Sequence, residues 1–270
     1  MICTLSVLIA ISAVALTSVH AETIDSRPVV YLTFDDGPSA DNVTDAVLEI
    51  LAKHDAKATF FVTGQRTRSS PEKIQKILYG GHSLGNHTDD HARLTEVSSD
   101  RVFYELNTAN VAVLNAGGPP LTCFRPPFGL TDSIVNSIAE DLGLVSVKWT
   151  IETRDWDSGS DVISIRKQLD GIKDGSIVLM HDGPIKRSRT LQALDYWMDD
   201  NSHRYQFRTL PQCNTYGELT IASVVEEAPK QKTIDELLEK LRGYRFSLDQ
   251  IVGQSTDQLT ARLSSEIVSQ

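Results

Sequence analysis

Asp35 and Asp36 stand together in Thr33-Phe34-Asp35-Asp36-Gly37-Pro38, directly after the apolar run Val29-Val30-Tyr31-Leu32. Side chains alternate along a strand, so adjacent carboxylates at its end point different ways; one can hold a cation while the other moves a proton. Gly37-Pro38 then turns the chain and leaves both acids at a loop mouth. His87-Thr88-Asp89-Asp90-His91 sets two imidazoles four residues apart, which on a helical turn share one face. Two imidazoles and a carboxylate make a three-ligand metal site with positions left for water and substrate. Asp36 is the obvious third donor, while Asp89 and Asp90 are nearer in sequence and compete for the role. His82 does not share that face, and both it and His54 read as structural.

Three further segments carry candidate chemistry. Arg125-Pro126-Pro127-Phe128-Gly129 is rigid, because both prolines fix φ and bias the residues before them to extended geometry. Such a loop can hold Arg125 against a carboxylate and leave the amide of Phe128 free to donate. Asp155-Trp156 and Leu179-Met180-His181-Asp182 complete the set, each after a predicted strand. Together, Thr33–Pro38, His87–His91, Arg125–Phe128, Asp155-Trp156 and Leu179–His181 resemble, in order and approximate spacing, the five motifs of the polysaccharide deacetylases of carbohydrate esterase family 4, which share the NodB homology domain. The resemblance spans residues 28–211.

That resemblance implies a role for each residue. Asp36, His87 and His91 would bind one divalent metal ion, zinc first and cobalt as the alternative. Asp35 would be the general base, kept ionised by Arg125, and Phe128, where Tyr is commoner, would offer its backbone amide to the oxyanion. His181 would be the general acid, tuned by Asp155, with Trp156 and Leu179 lining a pocket for the acetyl methyl. The implied reaction removes acetyl groups from N-acetylglucosamine units of an extracellular polysaccharide, peptidoglycan or chitin, by attack of metal-activated water. Competing readings are an O-acetyl esterase acting on xylan and a catalytically idle glycan-binding protein; intact Asp35 and His181 speak against the second.

These residues need a scaffold that brings distant segments together. From Pro28 to Pro211 short β-rich runs alternate with helical patterns, the signature of repeated βα units. Strands are expected at Val29–Phe34, Ala58–Val62, His82–Asn86, Cys123–Arg125, Leu144–Trp149, Ser176–His181 and Tyr205–Thr209. Helices are expected at Asn42–His54, Pro71–Tyr79, Ser98–Asn115, Thr131–Leu142, Val162–Ile172 and Arg189–Asp199, with Ser39, Ser98 and Thr131 as capping residues. An open sheet and a barrel both fit the alternation. The candidate residues follow at least five strands at their carboxyl ends, which points to an α/β fold, a distorted (β/α) barrel of about seven strands.

Composition narrows the setting. A net charge of −10 argues against nucleic acid or an anionic membrane as the main partner and fits a glycan; no obligate protein partner is implied. Residues 2–19 form an uncharged apolar run ending in Val19-His20-Ala21, so 1–21 reads as a signal peptide or, alternatively, a membrane anchor. Either places the rest of the chain outside the cytoplasm, secreted or in the cell envelope. With Cys3 in that segment, Cys123 and Cys213 remain as a pair that either bridges or stays as two buried thiols, which geometry decides. Residues 214–270 form a charged tail, helical or partly disordered, to which no chemistry is assigned.

Overall fold

The computed structural model describes residues 25–183 and 187–213. The segments expected at 1–21 and 214–270 lie outside the described residues. Among the described residues no helix is long and apolar enough to cross a membrane.

Among the described residues, eight parallel strands form one sheet. They are β1 (Val29–Asp35), β2 (Ala58–Val62), β3 (Ser83–Asn86), β4 (Cys123–Phe124), β5 (Val145–Ser146), β6 (Ile151–Glu152), β7 (Ser176–His181) and β8 (Gln206–Phe207). The order along the sheet is β5-β4-β3-β2-β1-β7-β6, and β8 pairs with Val29 and Val30 before β2 joins at Leu32. Parallel strands need long crossovers, supplied by α1 (Val43–Lys53), α2 (Gly64–Ser69), α3 (Pro71–Tyr79), α4 (Ser99–Asn115), α5 (Ser133–Asp141), α6 (Val162–Leu169) and α7 (Ser188–Asn201).

The sheet curls into a half-barrel. The expectation of one strand across Leu144–Trp149 fails here, because the chain changes edges within it. Val147 still donates to the Phe124 carbonyl (2.8 Å), whereas Thr150 already donates to Ile177 on β7 (2.9 Å). The unexpected strand β6 then pairs Ile151 with Val178 and Glu152 with Leu179. A two-residue strand beside a crossing has too few alternating positions to be read from sequence. α2 was also not expected; its Gly-Gln-Arg-Thr-Arg-Ser carries no apolar stripe.

Alternation on β1 divides the interior in two. Val30, Leu32 and Phe34 join the main core under the helices, with Phe60, Leu51, Val178, Met180 and Trp197. Thr33 and Asp35 share the opposite face. There Phe61, Cys123, Val147, Leu210 and Cys213 form a small cluster against which Tyr31 and Ile177 pack. Two helix starts differ from expectation. Asp132, not Thr131, caps α5 by accepting from the Val135 amide (2.9 Å). Asn42 occupies the cap position of α1 without a side-chain hydrogen bond, while the Ser39 hydroxyl pairs with Asp41. Ser98 does cap α4.

Cys123 and Cys213 form a disulfide with Cα atoms 5.1 Å apart, closing a sequence separation of 90 residues. It ties the end of the described domain to the strand that leads into the Arg125 loop. Replacing both cysteines by serine is expected to lower the unfolding free energy by about 2–5 kcal/mol, read from the urea midpoint. Mass spectrometry of the unreduced protein showing two free thiols at these positions would contradict the bridge.

Candidate metal centre and active site

The carboxyl ends of β1, β3, β4, β6 and β7 supply the candidate residues, as a parallel sheet with its loops on one rim requires. Asp35 is the last residue of β1 and points into the half-barrel. Asp36 follows with φ 72°, a left-handed backbone that few non-glycine residues adopt. The two acids consequently meet different partners. Asp36 Oδ1 lies 3.4 Å from His87 Nε2 and 3.3 Å from His91 Nε2, and Asp35 Oδ1 accepts from Arg125 Nη1 at 2.8 Å.

His87 and His91 reach that position without a helical turn. The segment after β3 is irregular, with φ of 67° at Thr88 and 66° at His91. Side chains hold the loop: the Thr88 amide donates to Asn86 (2.7 Å) and the His91 amide to the Thr88 hydroxyl (3.0 Å). The amides of Asp89 and Asp90 both donate to Glu105 Oε2 of α4, at 2.9 and 3.0 Å. Asp89 and Asp90 turn away from the histidines. Asp89 receives two bonds from Arg68 (2.7 and 2.9 Å) and Asp90 one from Arg101 (2.6 Å).

Asp36, His87 and His91 thus form a three-residue cluster suited to a metal ion. The donor chemistry fits: Asp36 Oδ1 is buried without a hydrogen-bond partner among the described residues. His87 Nδ1 lies 2.7 Å from the Arg125 carbonyl, an acceptor, so Nδ1 carries the proton and Nε2 presents its lone pair. Burial pushes the Asp36 carboxyl up, but the close approach and charge of His87, with His181 and His91, hold it far below the usual range. Burial pushes His87 down, yet Asp35 and Asp36 outweigh it and raise the imidazole. A site that pulls a proton onto a histidine this way also attracts a divalent cation to the same lone pair.

Arg125 is fully buried below this cluster. Its guanidinium donates to Thr33 Oγ1 (2.7 Å), Asp35 Oδ1 (2.8 Å) and the carbonyls of Val147 and Lys148 (both 3.3 Å), and it lies 4.1 Å from the Phe61 ring centroid. On the other side, β7 places His181 as the register partner of Asp35. His181 Nδ1 is 2.7 Å from Asp155 Oδ1, and Asp155 Oδ2 accepts from the His181 amide (3.0 Å) and the Thr190 hydroxyl (3.0 Å). Burial pushes His181 down, but the hydrogen bond and charge of Asp155 raise it above the ordinary histidine value.

Around the rim, Phe128 adopts φ 60° and its half-exposed ring stands edge-on to His91, 4.7 Å between centroids. Trp156 is also half-exposed, its Nε1 donating to Glu152 (3.1 Å). Leu179 is buried one inward step below His181, beside Thr33 in register. His82 and His54 lie elsewhere. His82 Nδ1 accepts from the Ala58 amide (3.1 Å), and burial together with Lys57 lowers it to about 4; His54 Nδ1 is 3.0 Å from the Ser202 hydroxyl.

Known proteins resemble this chain in sequence and in fold. Residues 23–147 match a family model described as polysaccharide deacetylase. A chitooligosaccharide deacetylase of Azorhizobium caulinodans is 35% identical over 188 residues, 65% of this chain and 89% of that protein. The chain belongs to the polysaccharide deacetylases of carbohydrate esterase family 4. The peptidoglycan-N-acetylglucosamine deacetylase PgdA of Listeria monocytogenes is 37% identical over 190 residues, 70% of this chain; the chain spans only 39% of that relative's length. A family 4 carbohydrate esterase from Streptomyces lividans, solved with acetate, superposes with a TM-score of 0.62 at 26% identity, covering 68% of this chain and 94% of the other.

In this family 4 chain the structure adds residues that sequence reading passed over. Thr33 relays between Arg125 and the Val178 carbonyl (2.6 Å), and Glu105 shapes the histidine loop from a helix where it looks like an ordinary surface partner of Arg101. Asp182 is fully buried, accepts from Thr44 (2.7 Å), and is pushed up to about 7 by burial and by the nearby Asp36 and Asp35. Arg187 approaches Asp36 and Asp155 from the start of α7, a position with no sequence signature.

The geometry separates the competing acids. Asp36→Ala and His91→Ala are each expected to lose stoichiometric zinc, measured by elemental analysis after dialysis, whereas Asp89→Asn and Asp90→Asn retain it. Zinc retained by Asp36→Ala and lost by Asp90→Asn would move the ligand assignment to the loop acid.

Proposed function

We propose that the chain is a metal-dependent hydrolase that removes acetyl groups from N-acetylglucosamine units of an extracellular polysaccharide, peptidoglycan or chitin. One observation carries the reading: the Asp36–His87–His91 cluster adjoins the end of β1, where Asp35 is held by Arg125 and has as its register partner on β7 His181, held by Asp155. The Listeria peptidoglycan-N-acetylglucosamine deacetylase and the Azorhizobium chitooligosaccharide deacetylase suggest the two substrate classes. A nitrogen-rich donor set with one carboxylate favours zinc, with cobalt as a functional substitute. Such a cation acidifies water to a pKa of about 7 and polarises an acetyl carbonyl.

The chain's own groups do the rest. Asp35 accepts the proton as water attacks, with Arg125 fixing the rotamer that leaves Oδ2 toward the cluster. The Phe128 amide donates to the oxyanion that forms from the acetyl oxygen. An amine is too basic to leave unprotonated, so His181, charged and oriented by Asp155, delivers the proton to the departing nitrogen. Leu179 and Trp156 bound the space beside the acetyl methyl. Activity outside the cytoplasm agrees with the Cys123–Cys213 bridge, since disulfides persist in oxidising compartments.

The test is acetate release by the metal-loaded protein from peptidoglycan, chitin oligomers and acetylxylan in parallel. Release from the N-acetyl substrates supports the proposal; release from acetylxylan alone would make it an O-acetyl esterase. Asp35→Asn is expected to keep metal while losing roughly 10²–10⁴-fold in turnover. His181→Ala should impair amides more than activated esters, and equal losses on both would contradict its acid role. The pH dependence has a defined sign. Asp155 raises His181, so the protonated acid persists to higher pH in the native protein. In Asp155→Asn the alkaline limb of the kcat profile is expected to move to lower pH.

A further inference from the structure

Arg187 is a buried cation beside the site that the reaction above leaves without a task. It stands at the N-cap position of α7 and is 3% exposed. Its Nη2 lies 3.8 Å from Asp36 Oδ2, its Nη1 donates to the Asp155 carbonyl at 3.4 Å, and its Nε is buried with no hydrogen-bond partner among the described residues. Three residues on, Thr190 in the first turn of the same helix bonds the Asp155 carboxylate. Taking a guanidinium out of water is costly, and a half-satisfied one persists only where its charge opposes other buried charge. Here that charge is at hand: Asp35, Asp155 and Asp182 are buried and Asp36 partly so. Arg125 serves Asp35 alone among them.

We propose that Arg187 is a positioning residue that ties the metal-ligating acid to the general-acid pair. It faces the second oxygen of Asp36, so that Oδ1 alone is turned to His87 and His91, and it fixes the peptide that carries Asp155 and hence orients His181. Arg125 does for the base what Arg187 does for the ligand and the acid. No part of substrate needs to touch it. The inference rests on the reading of Asp36 as a metal ligand.

Cobalt-loaded protein gives a readout that packing alone would not move. In Arg187→Met the freed carboxylate can bind through both oxygens, so the visible absorption of bound cobalt is expected to change in intensity and position as its coordination changes. Loss of an outer partner of a ligand predicts a fall in kcat of about tenfold or more on N-acetylated chitin oligomers, with KM nearly unchanged. Arg187→Lys keeps the charge, but one ammonium cannot serve both Asp36 and the Asp155 carbonyl, so it is expected to fall between the two. A folded Arg187→Met with the native cobalt spectrum and native kcat overturns the proposal, as does a loss confined to KM. If that variant does not fold, Arg187→Lys decides: a native spectrum and native turnover overturn it equally. A wild-type protein that releases no acetate would instead overturn the deacetylase reading, while the cobalt spectra still report on Arg187.

Discussion

The ion pair between Arg125 and Asp35 is the constraint around which the half-barrel closes. Each of two such charges carries a desolvation penalty of several kcal/mol on burial, repaid only by close geometry and satisfied hydrogen bonds. The guanidinium meets that demand with Thr33, Asp35 and the carbonyls of Val147 and Lys148. Those two carbonyls are available only because the chain leaves β4 at Val147 and reaches β7 by Thr150. The edge-to-edge crossing that shortens β5 is therefore the same feature that satisfies the arginine. Below it, Phe61 offers its face, and the Cys123–Cys213 bridge packs in the same small cluster. What looks like a packing layer is the floor of the site.

Above that floor, backbone strain is concentrated where the side chains face the candidate cation. Asp36, His91 and Phe128 are all left-handed, and Thr88, which is β-branched, is too. Such conformations cost on the order of 1–3 kcal/mol each and persist only where the surroundings over-determine them. Asn86, Thr88 and Glu105 supply that determination through hydrogen bonds to the loop amides. For Asp36 the support is steric. A Cβ on Gly37 would collide with the Asp182 carboxylate and one on Gly183 with Asp36 itself, so only glycines let the two strand ends approach. The donors are thus held by the protein before any ion binds, which favours one geometry over others at the metal.

Much of this was readable from sequence because it depends on local pattern. The runs Val29–Phe34, Ala58–Val62 and Ser176–His181 carry enough consecutive apolar residues to declare themselves, and Pro71–Tyr79 shows its helical stripe and its proline start. The adjacent acids and the paired histidines were visible as types and spacing. Their geometry was not: the four-residue spacing of His87 and His91 suggests a helical turn, whereas tertiary bonds from α4 fold the segment into a left-handed loop. Asp89 and Asp90 resemble ligands until Arg68 and Arg101, each from another element, claim them. Arg187 and Glu105 gave no signal, since a buried partner of a distant carboxylate has the same local pattern as a surface charge. What sequence withholds is long-range electrostatics.

The register between β1 and β7 joins these threads. Six consecutive partners run from Val30–Ser176 to Asp35–His181, setting Asp35 and His181 side by side on one face. Strand side chains alternate, so a slip of one residue would turn either group into the main core. That slip is opposed on the other face by Val30, Leu32, Phe34, Val178 and Met180, all buried under the helices. The hydrophobic pattern that folds the sheet therefore also fixes how Asp35 and His181 sit beside each other. Asp155 bonds His181 from the loop after β6 and Arg125 bonds Asp35 from the end of β4, so side chains carried in from two other strand ends hold the central pair.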